Sequence, residues 1–202
     1  MKINQNISAV IVNDQLLRNE NSLSASVKKL SSGFKFNDPK DNPSGMAISF
    51  KMQAQIHALN RASLNATDGV SMVETIDGAM GEMTEILQRI RELSIQASNG
   101  LYSNSDRSAI QAEIDQLKES IGGITAQTKF NEMNVLDGTM GSSHVASNAD
   151  GGGMNIDMPQ FSLEALGIAN YDVTSGNFDV ADIDKALEKV SAKRSYLGAA
   201  YN

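Results

Sequence analysis

Apolar residues recur at the spacing of a helix over much of the chain, and the clearest run lies between residues 73 and 97. Steps of three and four residues separate its members, which are Val73, Ile76, Met80, Met83, Leu87 and Ile90, with Ser94 and Ala97 completing the row. A second apolar row lies one residue earlier in each heptad and widens this face, which we call the central seam. Because the central seam is wider than a two-stranded coil requires, it predicts packing against at least two other helices.

Local signals set the limits of the helix that carries the central seam. Asn42 can act as its N-cap with Pro43 in the first helical position, and Asn99-Gly100 is a stop signal. About 55 residues at ~1.5 Å each would make a rod on the order of 80 Å long. Three internal glycines each cost ~1 kcal/mol in a helix. Close contact with a neighbouring element would explain Gly69, Gly78 and Gly81, and the alternative is that the helix merely tolerates them.

The next helix is predicted to start near Ser103, whose hydroxyl can cap the helix while Asp106 sits three residues further on. Its apolar residues again follow steps of four and three, at Ile110, Ile114, Leu117, Ile121 and Ile124. The connection over residues 99–104 is short, so this helix must run antiparallel to the long helix.

An amphipathic helix is also predicted over residues 3–32, with an apolar stripe that includes Ile3, Ile7, Val10, Leu23 and Leu30. Its other face is rich in Asn and Ser, which are mediocre helix formers, so the helix is expected to need a partner. Prolines, glycines and Asx residues between positions 33 and 45 break it from the long helix.

Residues 130–178 have a different character, with turn-rich segments and short alternating runs such as 154–158. They predict one or two short hairpins over a low-complexity loop. A last helix is predicted from about Asp179, with Ile183, Leu187, Val190 and Leu197 on one face. The fold class predicted is mainly α: an elongated, coiled-coil-like helical bundle of a long helix and an antiparallel helix, with a small β-hairpin region.

Composition narrows the possible functions. The net charge of −7 gives little electrostatic support to nucleic-acid binding, and we expect no nucleic-acid partner. Residues 1–40 hold six Lys and Arg against three Asp and Glu, which leaves a membrane-active amphipathic helix as an alternative with few aromatic anchors. The chain contains no Cys, and its first residues lack the apolar run of a cleaved signal peptide.

The sequence gives no sign of catalytic chemistry. The two histidines, His57 and His144, are far apart in sequence and fall in different kinds of structure. No zinc-protease, nucleophile-elbow or phosphate-loop pattern occurs. The glycines at 151–153 are not followed by a lysine or a helix start, and the acidic residues near Asp150 lack the spacing of a calcium loop. We therefore expect no enzyme activity, no cofactor and no metal site.

The charged segment 88–93 offers a surface for association, because its apolar residues lie on the central seam and its charges lie outside it. Spacing alone favours the simpler interpretation that these charges stabilise their own helix. Glu85 and Arg89 stand four residues apart in the favourable order, which is worth ~0.2–0.5 kcal/mol to the helix itself.

Several strings of the chain resemble bacterial flagellin closely. They occur at residues 3–6 (INQN), 30–33 (LSSG), 37–38 (ND), 43–48 (PSGMAI), 59–62 (LNRA), 65–69 (NATDG), 87–93 (LQRIREL), 96–100 (QASNG), 110–114 (IQAEI), 129–131 (KFN), 183–187 (IDKAL) and 194–199 (RSYLGA). The resemblance spans nearly the whole chain and is weak only over residues 137–178, where flagellins vary widely.

The resemblance implies a structural subunit of the motility filament. Residues 1–42 would form the helix of the filament core and its linker, and residues 43–130 a helical hairpin of the next shell. Residues 131–178 would be the variable hairpin region, and 179–202 the start of the C-terminal helical half. It further implies an extracellular location in the flagellum, other flagellin subunits as partners, and unfolded export through the flagellar export apparatus, with a chaperone and without a cleaved signal peptide.

The resemblance also points to the innate immune receptor Toll-like receptor 5 as a partner in the host. Arg89, Leu93 and Glu113 match positions that this receptor contacts in flagellins, with Gln88 and Glu92 beside them. This raises a receptor-binding interpretation of the face above mere support of the helix.

The chain departs from flagellins at its C-terminus, where the family continues into further helices. The resemblance therefore implies that the central seam loses one partner and that residues 1–32 lose theirs, with weak stability and poor filament formation by this chain alone. Light scattering after seeding with filament fragments tests the last expectation. The alternatives are a hook–filament junction protein, which shares the helical shell, and the membrane-active protein, which liposome co-sedimentation would separate.

Overall fold

Two units make up the chain in the computed structural model, which describes residues 6–175 and 178–201. The first unit, residues 1–57, holds helix α1 (Ile7–Ser32), a linker and the beginning of helix α2 (Pro43–Ala97). The second unit, residues 58–202, holds the remainder of α2 and every later element. The four segments inferred from the sequence describe expected roles in a filament and stay a prediction.

Helix α1 is capped at both ends. Asn6 Oδ1 accepts a hydrogen bond from the Ala9 N–H at 3.2 Å, and Gly33 ends the helix in the left-handed conformation with φ 72°. Lys28 Nζ of α1 lies 2.8 Å from Asp38 Oδ2 of the linker. The predicted start of α2 is confirmed, because Asn42 Oδ1 accepts from the Gly45 N–H at 2.9 Å and the helix begins at Pro43.

The second unit is built on an antiparallel pair of helices. Helix α3 (Asn104–Gln127) opens with a capping box formed by Ser103 and Asp106, as predicted. Gln96 meets Tyr102 near the connection, and Arg89 meets Glu113 further away, so the two helices run in opposite directions. The mainly α fold with a long helix and an antiparallel partner is thus confirmed.

Two short hairpins follow, in agreement with the turn-rich sequence. Strands β1 (Lys129–Phe130) and β2 (Met133–Asn134) pair antiparallel through a turn in which both residues have positive φ. Strands β3 (Ser142–Ala146) and β4 (Gly153–Asp157) pair antiparallel with Ser142 opposite Asp157. A single helical turn, α4 (Leu163–Leu166), precedes the last helix, α5 (Val180–Tyr201).

Helix α5 lies antiparallel to α2 and completes the core of the second unit. Arg91 Nε is 2.6 Å from Asp184 Oδ1, and Arg194 Nε is 2.7 Å from Asp77 Oδ1, so residue numbers rise along one helix as they fall along the other. The face of α5 that was predicted to be apolar is buried at Ile183, Val190 and Leu197 and partly buried at Leu187.

The central seam was expected to lose one of its partners, but other parts of this chain cover it fully. Its six leading residues are between 0 and 3% exposed. The turn-rich segment covers part of this core with buried side chains of its own, which are Val135, Leu136, Ile156, Met158, Phe161, Leu166, Ile168, Tyr171 and Val173. The prediction of a low-complexity loop missed this packing because short apolar runs with irregular spacing carry no helical or strand period.

The internal glycines of α2 divide into two kinds. A Cβ at Gly69 would lie 3.1 Å from Val145 Cγ1, which confirms the close contact expected there. At Gly78 and Gly81 a Cβ would meet no described atom within 4 Å, so the same expectation is wrong at these two positions.

Candidate functional site

The α2–α3 face brings together three of the charged residues singled out in the sequence. Arg89 donates to Glu113 Oε1 from Nε at 3.1 Å and from Nη2 at 2.8 Å. Its remaining amino group, Nη1, donates to Glu92 Oε2 at 3.1 Å. One arginine therefore holds a carboxylate from each helix, and we call these three residues the Arg89 cluster.

Hydrogen bonds within the Arg89 cluster favour the charged form of Arg89. The hydrogen bond to Glu113 first, and then that to Glu92, raise the pKa of Arg89, so the guanidinium stays protonated at any ordinary pH. With one cation and two carboxylates, the cluster carries a net negative charge. All three side chains remain about half exposed or more, which leaves them open to a partner. Their pairing adds little to stability, since exposed ion pairs contribute roughly 0–1 kcal/mol.

The remaining two residues of the predicted receptor set lie differently. Gln88 is exposed beside Arg89. Leu93 is only 2% exposed and belongs to the hydrophobic core. The structure thus places four polar members of the set at the surface and one apolar member underneath.

The residues predicted to pack between helices also form two groups. On α2 and α3 they are buried or nearly so, at Val73, Ile76, Met80, Met83, Leu87, Ile90, Ile110 and Ile114, with Leu117 partly buried. On α1 they are exposed: Ile7 is 67%, Val10 68%, Leu23 66% and Leu30 83% exposed. None of the residues of Ile7–Ser32, all of which the structure describes, is buried. Ile3 lies outside the described residues.

Exposure on this scale is unusual for a helix. An amphipathic helix gains most of its stability from burying its apolar face against another element. Helix α1 has caps at both ends but leaves its whole apolar face, which we call the α1 stripe, open to solvent. Contiguous exposed apolar surface of this kind marks a site of association.

Neither histidine belongs to the Arg89 cluster or to the α1 stripe. His57 is an exposed residue of α2. His144 on β3 contacts Asn155 Oδ1 at 2.7 Å through Nδ1 and the Gly151 carbonyl at 3.2 Å through Nε2. Within residues 6–175 and 178–201, no group of three or more His, Cys, Asp or Glu side chains is arranged to hold a metal ion.

No helix in that same part of the chain combines the length and apolar character needed to cross a bilayer.

Two long-range contacts of the second unit were missed from the sequence. Gln111 on α3 accepts the Val173 N–H at 2.8 Å and donates to the Tyr171 carbonyl at 3.3 Å, which ties the turn-rich segment to the helix. Asp77 and Arg194 form a two-bonded ion pair across α2 and α5. Each pair lies sixty or more residues apart along the chain, and nothing in local spacing signals such a pairing.

Comparison with known proteins gives a consistent result. Residues 3–140 match the family described as bacterial flagellin N-terminal helical region. A flagellin of Halalkalibacterium halodurans is 38% identical over 208 residues, which cover all of this chain and 76% of that protein. The flagellar filament 30.7 kDa core protein of Treponema maltophilum is 36% identical over 222 residues, covering all of this chain and 78% of that protein.

Longer relatives match over a smaller share of their length. A flagellin of Shigella flexneri is 36% identical over 201 residues, which cover 98% of this chain and 36% of that protein. Among solved structures, the crystal structure of Bacillus cereus flagellin is similar with a TM-score of 0.59 and 26% identity, covering 68% of this chain and 82% of that chain.

Proposed function

Because this chain belongs to the bacterial flagellin family, we propose that it is a structural subunit of the extracellular flagellar filament, where it serves motility and not catalysis. The α1 stripe carries the proposal. A helix with no buried residue among Ile7–Ser32 and an open apolar face requires a partner, and other copies of the subunit supply one in a polymer.

The direct test is to shear filaments from the cell that carries this chain and to identify their subunits by mass spectrometry. Peptides from the chain are expected in the washed filaments. Their absence from filaments of a cell that expresses the chain would overturn the proposal.

A pair of variants then tests the α1 stripe itself. Leu23→Asp places a charge in the stripe, whereas Ser22→Asp places the same charge on an adjacent residue of the polar face. Helix α1 buries neither residue, so neither variant creates a cavity in the chain. Labelled Leu23→Asp chain is expected to bind filament fragments less than the Ser22→Asp chain does. Equal binding would show that the α1 stripe is not the packing surface.

We further propose that the Arg89 cluster, with Gln88, is bound by Toll-like receptor 5. The cluster offers a half-exposed arginine held in place by two carboxylates, and arginine is enriched among residues that dominate binding energy. Leu93 is 2% exposed, so it contributes as a core residue of the helix that carries Arg89.

A reporter cell line expressing Toll-like receptor 5 tests this face. Arg89→Ala is expected to raise the concentration needed for half-maximal signalling by roughly tenfold or more. Arg91→Ala is the matched control, because Arg91 lies on the same helix with similar exposure but pairs with Asp184 of α5. The proposal fails if the two variants signal alike.

Export through the flagellar type III pathway is proposed on the same family membership. Until the α1 stripe is covered by other subunits, a chaperone bound to it would prevent aggregation. Cells that lack the flagellar export ATPase are expected to retain the chain. Undiminished appearance of the chain in their medium would contradict this route.

A further inference from the structure

The connection between α2 and α3 contains the one Asn-Gly pair of the sequence, Asn99-Gly100. The loop is open to solvent, with Leu101 90% exposed. A Cβ placed on Gly100 would meet no described atom within 4 Å. Solvent and base therefore reach the peptide bond between Asn99 and Gly100 from the outside.

The Asn99 side chain is folded back onto the loop backbone. Its Oδ1 accepts a hydrogen bond from the Leu101 N–H at 3.1 Å, and its carbonyl accepts from the Tyr102 N–H at 3.3 Å. The bond from Leu101 matters for reactivity, because a donor aimed at an amide oxygen stabilises the negative charge that develops there when the amide carbon is attacked. The turn thus supplies an oxyanion-type donor at Asn99 Cγ.

The attacking group would be the backbone nitrogen of Gly100. Among the hydrogen bonds formed by described residues, none uses the Gly100 N–H, so its proton is free to leave to solvent base. Glycine also has no side chain to obstruct the approach of its nitrogen to the neighbouring side chain.

We propose that Asn99 is a site of spontaneous deamidation, at which the α2–α3 connection is chemically altered with age. The Gly100 nitrogen loses its proton and forms a bond to Asn99 Cγ, the Cγ–Nδ2 bond breaks, and ammonia leaves. The resulting succinimide is opened by water at either carbonyl, giving aspartate or isoaspartate. Water and hydroxide are the only co-reactants, so no cofactor or enzyme is needed.

The product changes the end of α2 in two ways. A carboxylate appears next to the C-terminal end of a long helix, where the helix dipole disfavours negative charge. In the isoaspartate product the backbone also gains one carbon, which displaces the amides of Leu101 and Tyr102 from their bonds to Asn99. Both effects loosen the tip of the hairpin that carries the Arg89 cluster.

The experiment ages the intact chain at mildly alkaline pH and follows the tryptic peptide 92–107 by mass spectrometry, with isoaspartyl methyltransferase to count isoaspartate. Asn99 is expected to be the first asparagine converted. Gly100→Ala, which adds a methyl group into open space, is expected to slow conversion about tenfold, equal to about 1.4 kcal/mol in activation free energy. Earlier conversion at another asparagine, or an unchanged rate in Gly100→Ala, would overturn the proposal.

A comparison with the chain unfolded in urea isolates the contribution of the turn. If the Leu101 N–H promotes the reaction, the native chain is converted at least as fast as the unfolded chain. A native rate far below the unfolded rate would show that the fold protects Asn99 instead.

Discussion

Gly69 of helix α2 packs directly against Val145 of the β3–β4 hairpin. A Cβ at Gly69 would lie 3.1 Å from Val145 Cγ1 and 3.2 Å from Val145 Cγ2, tighter than side chains normally tolerate. Beside this contact, Asn65 Nδ2 donates to the Ala146 carbonyl at 3.2 Å. The absence of a side chain at Gly69 is therefore what lets the hairpin lie against the helix.

Replacing Gly69 with Leu is expected to destabilise the second unit by about 1–3 kcal/mol, because the larger side chain must displace Val145. Gly78→Ala is the matched change on the same helix, and there a Cβ meets nothing within 4 Å. It should stabilise the chain by ~1 kcal/mol through helix propensity alone. Urea unfolding of both variants measures the two effects, and changes of the same sign would contradict the role given to Gly69.

Gln111 holds the turn-rich segment against α3, and its removal should loosen that segment. Val173 is fully buried, and its N–H loses its acceptor in Gln111→Ala. An unsatisfied buried donor costs about 1–3 kcal/mol. Gln116→Ala, an exposed change on the same helix, should leave stability almost unaltered. Hydrogen exchange at Val173 reports the effect locally, and equal protection in both variants would show that Gln111 is dispensable.

The ion pair between Asp77 and Arg194 should make stability depend on acid. The hydrogen bond from Arg194 holds the pKa of Asp77 below its ordinary value of 3.8. Because the folded pKa is the lower one, the stabilisation is present above the ordinary value and is lost as pH falls through the folded pKa. Asp77→Asn should remove this part of the acid dependence, measured by urea unfolding across that range. Glu82→Gln, an exposed change on the same helix, is the control that should preserve it.

His144 should give the β3–β4 hairpin an opposite dependence on pH. The contact with Asn155 Oδ1, and then that with the Gly151 carbonyl, raise the pKa of His144 above its ordinary value of 6.5. The protonated ring therefore favours the hairpin fully below 6.5, and this contribution disappears as pH rises through the raised pKa. An NMR titration of His144 measures the pKa. Asn155→Ala should lower it, and an unaltered value would mean that the Asn155 amide presents its nitrogen to the ring.

Local signals in the sequence predicted the helices well. The three-four spacing from Val73 to Ile90 identified the buried face of α2, and Asn42 and Ser103 marked the starts of α2 and α3. Each signal depends on neighbours within about one turn, since helix periodicity and capping are short-range effects.

Only part of each candidate surface was predicted from the sequence. Their positions on one helix predicted that Arg89 and Glu92 lie outside the central seam. The contact between Arg89 and Glu113 also requires a second helix in a particular register. The apolar stripe of α1 was predicted, whereas its complete exposure depends on what the other elements leave uncovered. Packing of Phe161 and Ile168 into the core gave no periodic signal at all.

Residues close together along the chain were enough to predict the four long helices, the starts of α2 and α3, and the family to which the chain is similar. The folded structure was needed to show which side chains cover the central seam, that Gly69 packs against Val145, and that Asp77 pairs with Arg194. These contacts join residues far apart in sequence. These contacts depend on how complete surfaces pack together, and the local spacing of residues does not predict that packing.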